Sequence, residues 1–412
     1  MIKKIFFSGL ILVGILTAKA QQRVPMDQIV RIVSYLSSDE LNGRGTGSAD
    51  ERKAAKFIAA QFEAMHLKPK GRKGYFYDFT YKYDANIHDT IKANLKPKIG
   101  RNVLAYLDNE AENTIVIGAH YDHCGLGLDG NSLDANPKEK IHNGADDNAS
   151  GVAGMLALAH YLSTNGFKEK NNFLFIAFSG EELGLLGSKK WCETPSIPLN
   201  KINYMINLDM IGRLNESTKK LLVYGVGTSD HFKETIEKNN SYFSIKYDSA
   251  GVGPSDHTSF YLKDIPVLHF FTGQHSDYHK PTDDADKINF KGEEKILELI
   301  IDIINDLDSK QKLHFYKTKS VDMGTTSFKV TMGVMPDYAF DESLGMRIDG
   351  VTDGKPASKA GIQKGDIVIK LGTYKVDNVQ DYMKALGHFN KGDKTTVTIK
   401  RGSNITTANI QF

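Results

Sequence analysis

The pattern of apolar positions divides most of the chain into alternating strands and helices. Short, nearly continuous apolar runs span residues 114–119, 172–178, 202–208 and 265–271. Between and after them, residues 149–162 and 290–307 carry apolar residues at helical spacing. Buried parallel strands have such continuous runs because both faces of their sheet are covered by helices. The pattern therefore predicts an α/β fold, with a mostly parallel sheet flanked by helices.

The segments outside these alternating runs have other patterns. Residues 26–40 and 49–66 are predicted helices, joined through the glycine-rich turn at 42–47. Polar and aromatic segments from 75 to 106 indicate strands with a hairpin, and residues 220–224 another strand. Beyond about residue 318 the pattern changes to short strands and turns. We therefore expect one unit over residues 21–315 and a small β-rich unit over residues 320–412.

The first 20 residues have the features of a secretory signal peptide. Lys3 and Lys4 precede an apolar run at 5–16, and Ala18 and Ala20 supply the small residues that a signal peptidase recognises. A membrane anchor is the alternative, but the run is shorter than the roughly 20 residues that span a bilayer. We expect an exported protein, periplasmic or extracellular, with no membrane span in the mature chain.

Charge and cysteine content narrow the function classes. The 412-residue chain has a formal charge of +2, which becomes −1 once a signal carrying three lysines and no acid is removed. That balance argues against a nucleic-acid partner. The two cysteines, Cys124 and Cys192, lie in no cysteine-rich metal pattern, and the sequence leaves open whether they pair.

Residues able to bind a metal follow the ends of the predicted strands. In an open α/β sheet, ligands bind beyond the carboxyl ends of the strands, so side chains at those points meet at one edge. The positions are His120, Asp122 and His123 after the first run, Asp146 and Asp147 in the next loop, Glu181 and Glu182 after the second run, Asp209 after the third, and Asp277, Tyr278 and His279 after the fourth.

This donor set suits zinc. Imidazole nitrogens and carboxylate oxygens are good zinc ligands, and a catalytic zinc keeps one position open. One ligand from each of these five sites gives a set that is too large for one catalytic ion. Such a set fits two ions, about 3.5–4 Å apart, if one carboxylate bridges them. The alternative is that each residue has a local role: Asp146 and Asp147 could cap the following helix, and Glu181 and Glu182 could be surface charge.

Five stretches resemble the M28 metallopeptidases, a family that includes bacterial zinc aminopeptidases. They are Gly-Ala-His-Tyr-Asp at 118–122, Gly-Ala-Asp-Asp-Asn-Ala-Ser-Gly at 144–151, Glu-Glu-Leu-Gly-Leu-Leu-Gly-Ser at 181–188, Asn-Leu-Asp-Met at 207–210 and Tyr-His at 278–279. The resemblance covers roughly residues 25–310.

The resemblance implies a role for each site residue. In it, Asp146 bridges two Zn²⁺ ions, His120 and Asp209 complete one site, and Glu182 and His279 complete the other. Three further positions follow: Glu181 as general base, Asp122 as the acceptor that orients His120, and Tyr278 as a donor to the developing oxyanion or a packing residue.

Residues 320–412 resemble a bacterial PDZ domain. The resemblance rests on residues 354–369, where a short helix, a glycine stop and a turn lead into a strand, and on a second helix at 378–387. Such domains hold a C-terminal peptide between that helix and a strand, here near 332–334. Peptide binding and simple packing against the other unit both remain open.

The sequence therefore predicts a di-zinc aminopeptidase that hydrolyses the N-terminal residues of peptide substrates with water activated by the metals. A carboxypeptidase or dipeptidase on the same scaffold, or a glutaminyl-cyclase-like enzyme, is an alternative. The alternative from another class is a non-catalytic protein that binds peptides through its PDZ-like module.

Overall fold

The computed structural model describes residues 23–82, 96–134, 136–318, 330–336, 345–351 and 354–412. The predicted signal peptide at 1–20 lies outside the described residues, as does part of the predicted boundary near 320. Among the residues described, none of the helices has the length and apolarity to cross a membrane.

A mixed sheet of nine strands forms the larger unit of the described chain. Its strands are β1 (Lys68–Pro69), β2 (Phe76–Tyr81), β3 (Lys98–Leu107), β4 (Asn113–His120), β5 (Asn171–Phe178), β6 (Ile202–Leu208), β7 (Lys220–Tyr224), β8 (Ser244–Tyr247) and β9 (Val267–Phe271). The spatial order is β1-β3-β5-β4-β6-β9-β7-β8, with β2 paired to β3. The central strands β5, β4, β6 and β9 are parallel, whereas β3 and β7 flank them in antiparallel pairing.

Helices cover both faces of this sheet. They are α1 (Met26–Leu36), α2 (Ala49–Ala64), α3 (Gly151–Thr164), α4 (Leu186–Glu193), α5 (Asp230–Asn239), α6 (His257–Tyr261) and α7 (Phe290–Asp308). Successive residues of a strand point to opposite faces. Accordingly Ile115 and Ile117 of β4 pack in the core beneath α1, α2, α3 and α7, and Val116 packs in the core that includes Trp191 and Phe260 from α4 and α6.

Helix α3 approaches the sheet closely where it begins. A Cβ atom at Gly151 would lie 2.4 Å from the Leu208 carbonyl oxygen, so only glycine fits there. Asn148 joins the same contact, since its amide donates to the Leu208 oxygen at 2.9 Å. The close approach brings the loop before α3 next to the end of β6.

A second sheet follows, with its own core. Its strands are β10 (Val334–Pro336), β11 (Met346–Val351), β12 (Ile367–Leu371), β13 (Tyr374–Lys375), β14 (Lys394–Arg401) and β15 (Asn404–Gln411), with helices α8 (Pro356–Lys359) and α9 (Val379–Leu386). The buried residues of this core all come from residues 330–412. The predicted fold class, a helix-flanked α/β sheet followed by a small β-rich unit, is confirmed.

Two charged side chains are fully buried near the start of the chain, Arg44 and Glu51. Glu51 lies on α2, and its carboxylate accepts hydrogen bonds from the Gly47 backbone N–H at 2.6 Å and from the Ser179 hydroxyl at 2.5 Å. Burial, with a smaller contribution from Asp122, raises the pKa of Glu51 to about 8. The folded protein therefore favours the protonated form, which the unfolded chain loses near 4.5.

This shift predicts the pH dependence of stability. Because the pKa of Glu51 is raised in the folded state, its contribution to the stability of the fold is fully present below pH 4.5. This contribution is lost as the pH rises through about 8. Glu51→Gln removes that loss and still offers an oxygen to Gly47 and a donor to Ser179. We expect the melting temperature of Glu51→Gln minus that of the natural protein to increase across this interval. A difference that stays constant with pH in parallel thermal melts would contradict the shift.

Candidate metal centre

The parallel arrangement of the central strands brings the predicted site residues to one edge of the sheet. Strand β4 ends at His120, and Asp209 directly follows β6. Glu181 and Glu182 come after β5, and His279 lies in the loop after β9. These side chains, which are distant in sequence, meet because all four strands point the same way.

Asp147 lies between the two halves of this cluster. Its Oδ1 is 3.3 Å from His120 Nε2, and its Oδ2 is 3.1 Å from His279 Nε2. Two sets of metal-binding atoms result, one from His120, Asp147 and Asp209 and the other from Asp147, Glu182 and His279. Asp147 is the residue that the two sets share, as a bridging carboxylate must be.

The resemblance gives the bridging role to Asp146, but the structure places the next residue, Asp147, between His120 and His279. Asp146 Oδ1 accepts hydrogen bonds from the Gly212 N–H at 2.7 Å and from Ser150 Oγ at 3.1 Å, and its Oδ2 lies 3.2 Å from His275 Nε2. The backbone leaves the helical conformation at Asp147, where φ is −105° and ψ is 91°. The two neighbouring carboxylates therefore point in different directions, and only Asp147 reaches the cluster.

The imidazoles are oriented through their Nδ1 atoms. His120 Nδ1 lies 3.1 Å from the backbone carbonyl oxygen of Asp122, and His279 Nδ1 lies 2.7 Å from that of Asn131. A carbonyl oxygen accepts, so each Nδ1 is the donor in these contacts, and Nε2 is the nitrogen that each ring presents to the carboxylates. This is the arrangement in which imidazole binds a metal.

Asp122 is the predicted acceptor that orients His120, and its backbone carbonyl makes the shorter of its two contacts with that imidazole. The carboxylate Oδ1 is 3.7 Å from His120 Nδ1. It instead accepts hydrogen bonds from the backbone N–H of Glu181 at 3.1 Å and, through Oδ2, from Thr46 Oγ1 at 2.7 Å. Asp122 thus connects the loop after β4 to the loop after β5.

Glu182 faces two imidazoles. Its Oε2 is 3.0 Å from His279 Nε2, and its Oε1 is 2.7 Å from His123 Nδ1. The family resemblance assigns no role to His123, although this residue directly follows the His-Tyr-Asp stretch. The contact holds Glu182 so that its second oxygen is turned toward His279.

Glu181 belongs to neither set of three. Its Oε2 lies 4.0 Å from His120 Nε2, and its side chain lines the open pocket next to Asp209 and Tyr278. Burial, together with Asp209 and Glu182, raises the pKa of Glu181 well above that of an ordinary carboxyl group, although His120 opposes the shift. Glu181 is therefore a basic carboxylate that faces the pocket.

Two residues that the sequence analysis did not single out hold the loops of the site. Asp283 Oδ2 accepts hydrogen bonds from the backbone N–H groups of both Asp146 and Asp147, each at 3.0 Å. The buried Arg44 guanidinium donates to four backbone carbonyls, those of Leu36, Tyr121, Asn143 and Gly144. Arg44 thus connects the loop after β4 with the loop that carries Asp147.

The remaining pocket wall is largely apolar and aromatic. Tyr278 stacks on His279, with ring centroids 3.9 Å apart. Met210 and Phe271 line the pocket and pack with Leu222 and Tyr224 in a small cluster behind it. One side of the pocket is therefore charged and the other suits an apolar group.

The residues present fit bound zinc. Isolated buried carboxylates are costly, and Asp147, Glu182 and Asp209 lie close together with little exposure. His120 and His279 offer nitrogen lone pairs to the same space. A donor set of two imidazoles and three carboxylates is compensated by divalent cations that accept both nitrogen and oxygen ligands, as Zn²⁺ does.

Comparison with known proteins agrees with this geometry. Residues 102–304 match the model of Peptidase family M28, and residues 322–412 match that of the PDZ domain. Aminopeptidase YwaD of Bacillus subtilis (strain 168) is 30% identical over 182 residues, which cover 41% of this chain and 39% of that protein. The chain thus matches well under half the length of this relative.

Solved structures share the fold of the larger unit. The zinc aminopeptidase BSAP from Bacillus subtilis superposes with a TM-score of 0.56 at 17% identity, over 72% of this chain and all of that one (100%). Porphyromonas gingivalis glutaminyl cyclase superposes with a TM-score of 0.55 at 19% identity, over 69% of this chain and 99% of that one. At such identities the likeness establishes a common fold.

The two neighbouring aspartates provide a matched pair of substitutions. Asp147→Asn should lower zinc affinity by more than the about 10–100-fold that loss of an outer partner costs, because the shared carboxylate is gone. Asp146→Asn should retain zinc, since an amide oxygen still accepts from Gly212. Zinc content after dialysis against a chelator series measures both. If Asp146→Asn alone lost zinc, Asp146 would be the bridging residue, as the family resemblance implies.

Proposed function

We propose that this chain, in which residues 102–304 match Peptidase family M28 and residues 322–412 match the PDZ domain, is a di-zinc aminopeptidase that removes residues from the N-termini of peptides. The observation that carries the proposal is the position of Asp147 between His120 and His279. In this proposal His120 and Asp209 hold one ion, Glu182 and His279 hold the other, and Asp147 holds both.

The zinc pair supplies Lewis acidity, which polarises the scissile carbonyl and makes water a stronger nucleophile at neutral pH. Glu181 is placed to handle the proton. It lies at the pocket wall within 4.0 Å of His120 Nε2 and outside both ligand sets, so its carboxylate is free to accept a proton from the attacking water and to pass it to the leaving amine. Tyr278, beside His279, is the proposed donor to the developing oxyanion.

The lining of the pocket supports cleavage from the N-terminus. Among the described residues that line it there is no lysine or arginine, the side chains that would hold the carboxylate of a peptide C-terminus. The Glu181 carboxylate, which is outside both ligand sets, is the acceptor available to a substrate ammonium. The apolar side formed by Met210 and Phe271 suits the side chain of the first residue. The lack of a cationic side chain in the described lining therefore disfavours the carboxypeptidase alternative.

A free strand edge supports a peptide-binding role for the PDZ domain. In the described sheet β10 pairs on one side only, with β11, so its other edge is open to an added strand. We propose that a peptide C-terminus adds there, next to α9. The module would then hold longer substrates or a partner protein near the catalytic unit and raise their effective concentration.

Export is part of the proposal and rests on the sequence of residues 1–20. The positive start, the apolar run and the Ala-Lys-Ala stretch at 18–20 support cleavage by a signal peptidase and action outside the cytoplasm.

The function is tested with peptides that differ only at the N-terminus. We expect release of the first residue from a peptide with a free amine and no cleavage of its N-acetylated form, because acetylation removes the ammonium. A third peptide beginning with glutamine separates cyclisation, which releases ammonia, from hydrolysis, which releases free glutamine. Efficient cleavage of the acetylated peptide, or residues released from the C-terminus, would contradict the proposal.

The two adjacent glutamates separate catalysis from metal binding. Glu181→Gln should keep its zinc and lose about 10²–10⁴-fold in kcat, the usual contribution of a general base. Glu182→Gln should lose zinc from the site that includes His279. Metal content and kcat are measured on the same samples. Near-normal turnover by zinc-loaded Glu181→Gln would rule out its role as the base.

A further inference from the structure

A free thiol lies next to the metal centre and has no part in the proposed reaction. Cys124 is unpaired and buried, with 1% of its surface exposed. Its Sγ lies 3.9 Å from Glu182 Oε1, the oxygen that also contacts His123 Nδ1 at 2.7 Å. Cys124, His123 and Glu182 thus form a third group of possible ligands, with donor atoms all within 4.8 Å of one another.

The contacts of Cys124 and His123 with Glu182 Oε1, 3.9 and 2.7 Å, lie within the span of one ion. Zinc binds sulfur at about 2.3 Å and nitrogen or oxygen at about 2.0–2.2 Å, so two of its ligands lie no more than about 4.5 Å apart. A thiolate with an imidazole favours zinc and softer thiophilic ions over magnesium or calcium. The group differs in this from the catalytic set, which contains no sulfur.

The group can lose the protons that metal binding displaces without leaving an uncompensated buried charge. Binding requires that the Cys124 thiol lose its proton to solvent and that His123 Nδ1 present a lone pair. His123 Nε2 is buried and has no hydrogen-bond partner within the described structure, so it can carry the ring proton when Nδ1 becomes a ligand. In the structure, His123 Nδ1 contacts Glu182 Oε1. The change of tautomer removes the hydrogen bond between these two atoms, so Oε1 also becomes available to the ion.

We propose that Cys124, His123 and Glu182 form an inhibitory site for a third, thiophilic divalent cation. The inhibitory part rests on the proposed peptidase function; the binding part does not. Glu182 links the two sites, since its Oε2 faces His279 while its Oε1 faces Cys124. A cation on Oε1 would add positive charge beside the ion that Glu182 and His279 would hold and would oppose the binding of a substrate ammonium, so activity should fall as the third site fills.

The second cysteine provides an internal control. Cys192 is also free and buried, but it packs in the apolar core with Trp191 and Phe260 and belongs to none of the groups of possible metal ligands in the described chain. Burial raises the pKa of its thiol to about 12, which disfavours the thiolate.

The test is a titration of the zinc-loaded full chain with Cd²⁺ alone, followed by thiolate-to-cadmium absorption, total metal content and peptidase activity. We expect one further equivalent of metal, an absorption band and loss of activity. Cys124→Ser should lose the band and need at least about tenfold more Cd²⁺ for half-inhibition, relative to its own activity without cadmium, whereas Cys192→Ser should behave as the natural protein. His123→Asn serves as a second variant if Cys124→Ser does not fold, and it should also lose the band.

Three results would overturn the proposal. The first is the absence of a thiolate band in the natural protein. The second is a band that Cys192→Ser removes and Cys124→Ser keeps. The third is release of one zinc for each cadmium bound, which would show replacement at a catalytic position. Absorption and metal content do not depend on substrate turnover, so a protein without peptidase activity would still give a clear answer on the third site.

Discussion

The structure depends on the burial of negative charge at the carboxyl edge of four parallel strands. The carboxylates of Asp147, Glu181, Glu182 and Asp209 converge there, and Asp147 contacts an imidazole on each side. Such a concentration of buried charge is stable only when cations and donors compensate it. Imidazoles from the end of β4 and from the loop after β9 face these carboxylates, and the donor set they form suits divalent cations that would supply the remaining compensation.

The geometry of the site is maintained by residues outside it. Arg44 satisfies four carbonyls from three segments of chain, and Asp283 accepts hydrogen bonds from the backbone N–H groups of Asp146 and Asp147. Both act on the backbone, so they fix where the ligand side chains start without occupying the space in which metals bind. Glu182 is held differently, by direct contact between its Oε1 and His123.

Periodicity and strand ends predicted the fold, the edge of the sheet and most of the residues that meet there. The apolar run that became β6 coincides with the observed Ile202–Leu208, because a strand covered on both faces leaves a continuous signal. The choice between Asp146 and Asp147 was beyond that reasoning, since it depends on one backbone conformation at Asp147. Asp283 and Arg44 were missed because their partners are backbone atoms far away in sequence, for which side-chain patterns give no signal. The resemblance to M28 peptidases and PDZ domains is confirmed.

The hydrogen bonds of Asp283 also bear on how the protein folds. These hydrogen bonds join residues that are 136 and 137 positions apart in the sequence. The neighbouring loop that carries His279 follows β9, the last strand of the central parallel set. Contacts of such long sequence separation form late, because the intervening chain must first be ordered. The nascent or unfolded polypeptide therefore has no preformed zinc site. Metal uptake would consequently report that β9 and the loop after it are in place, because His279 joins the other ligands only then.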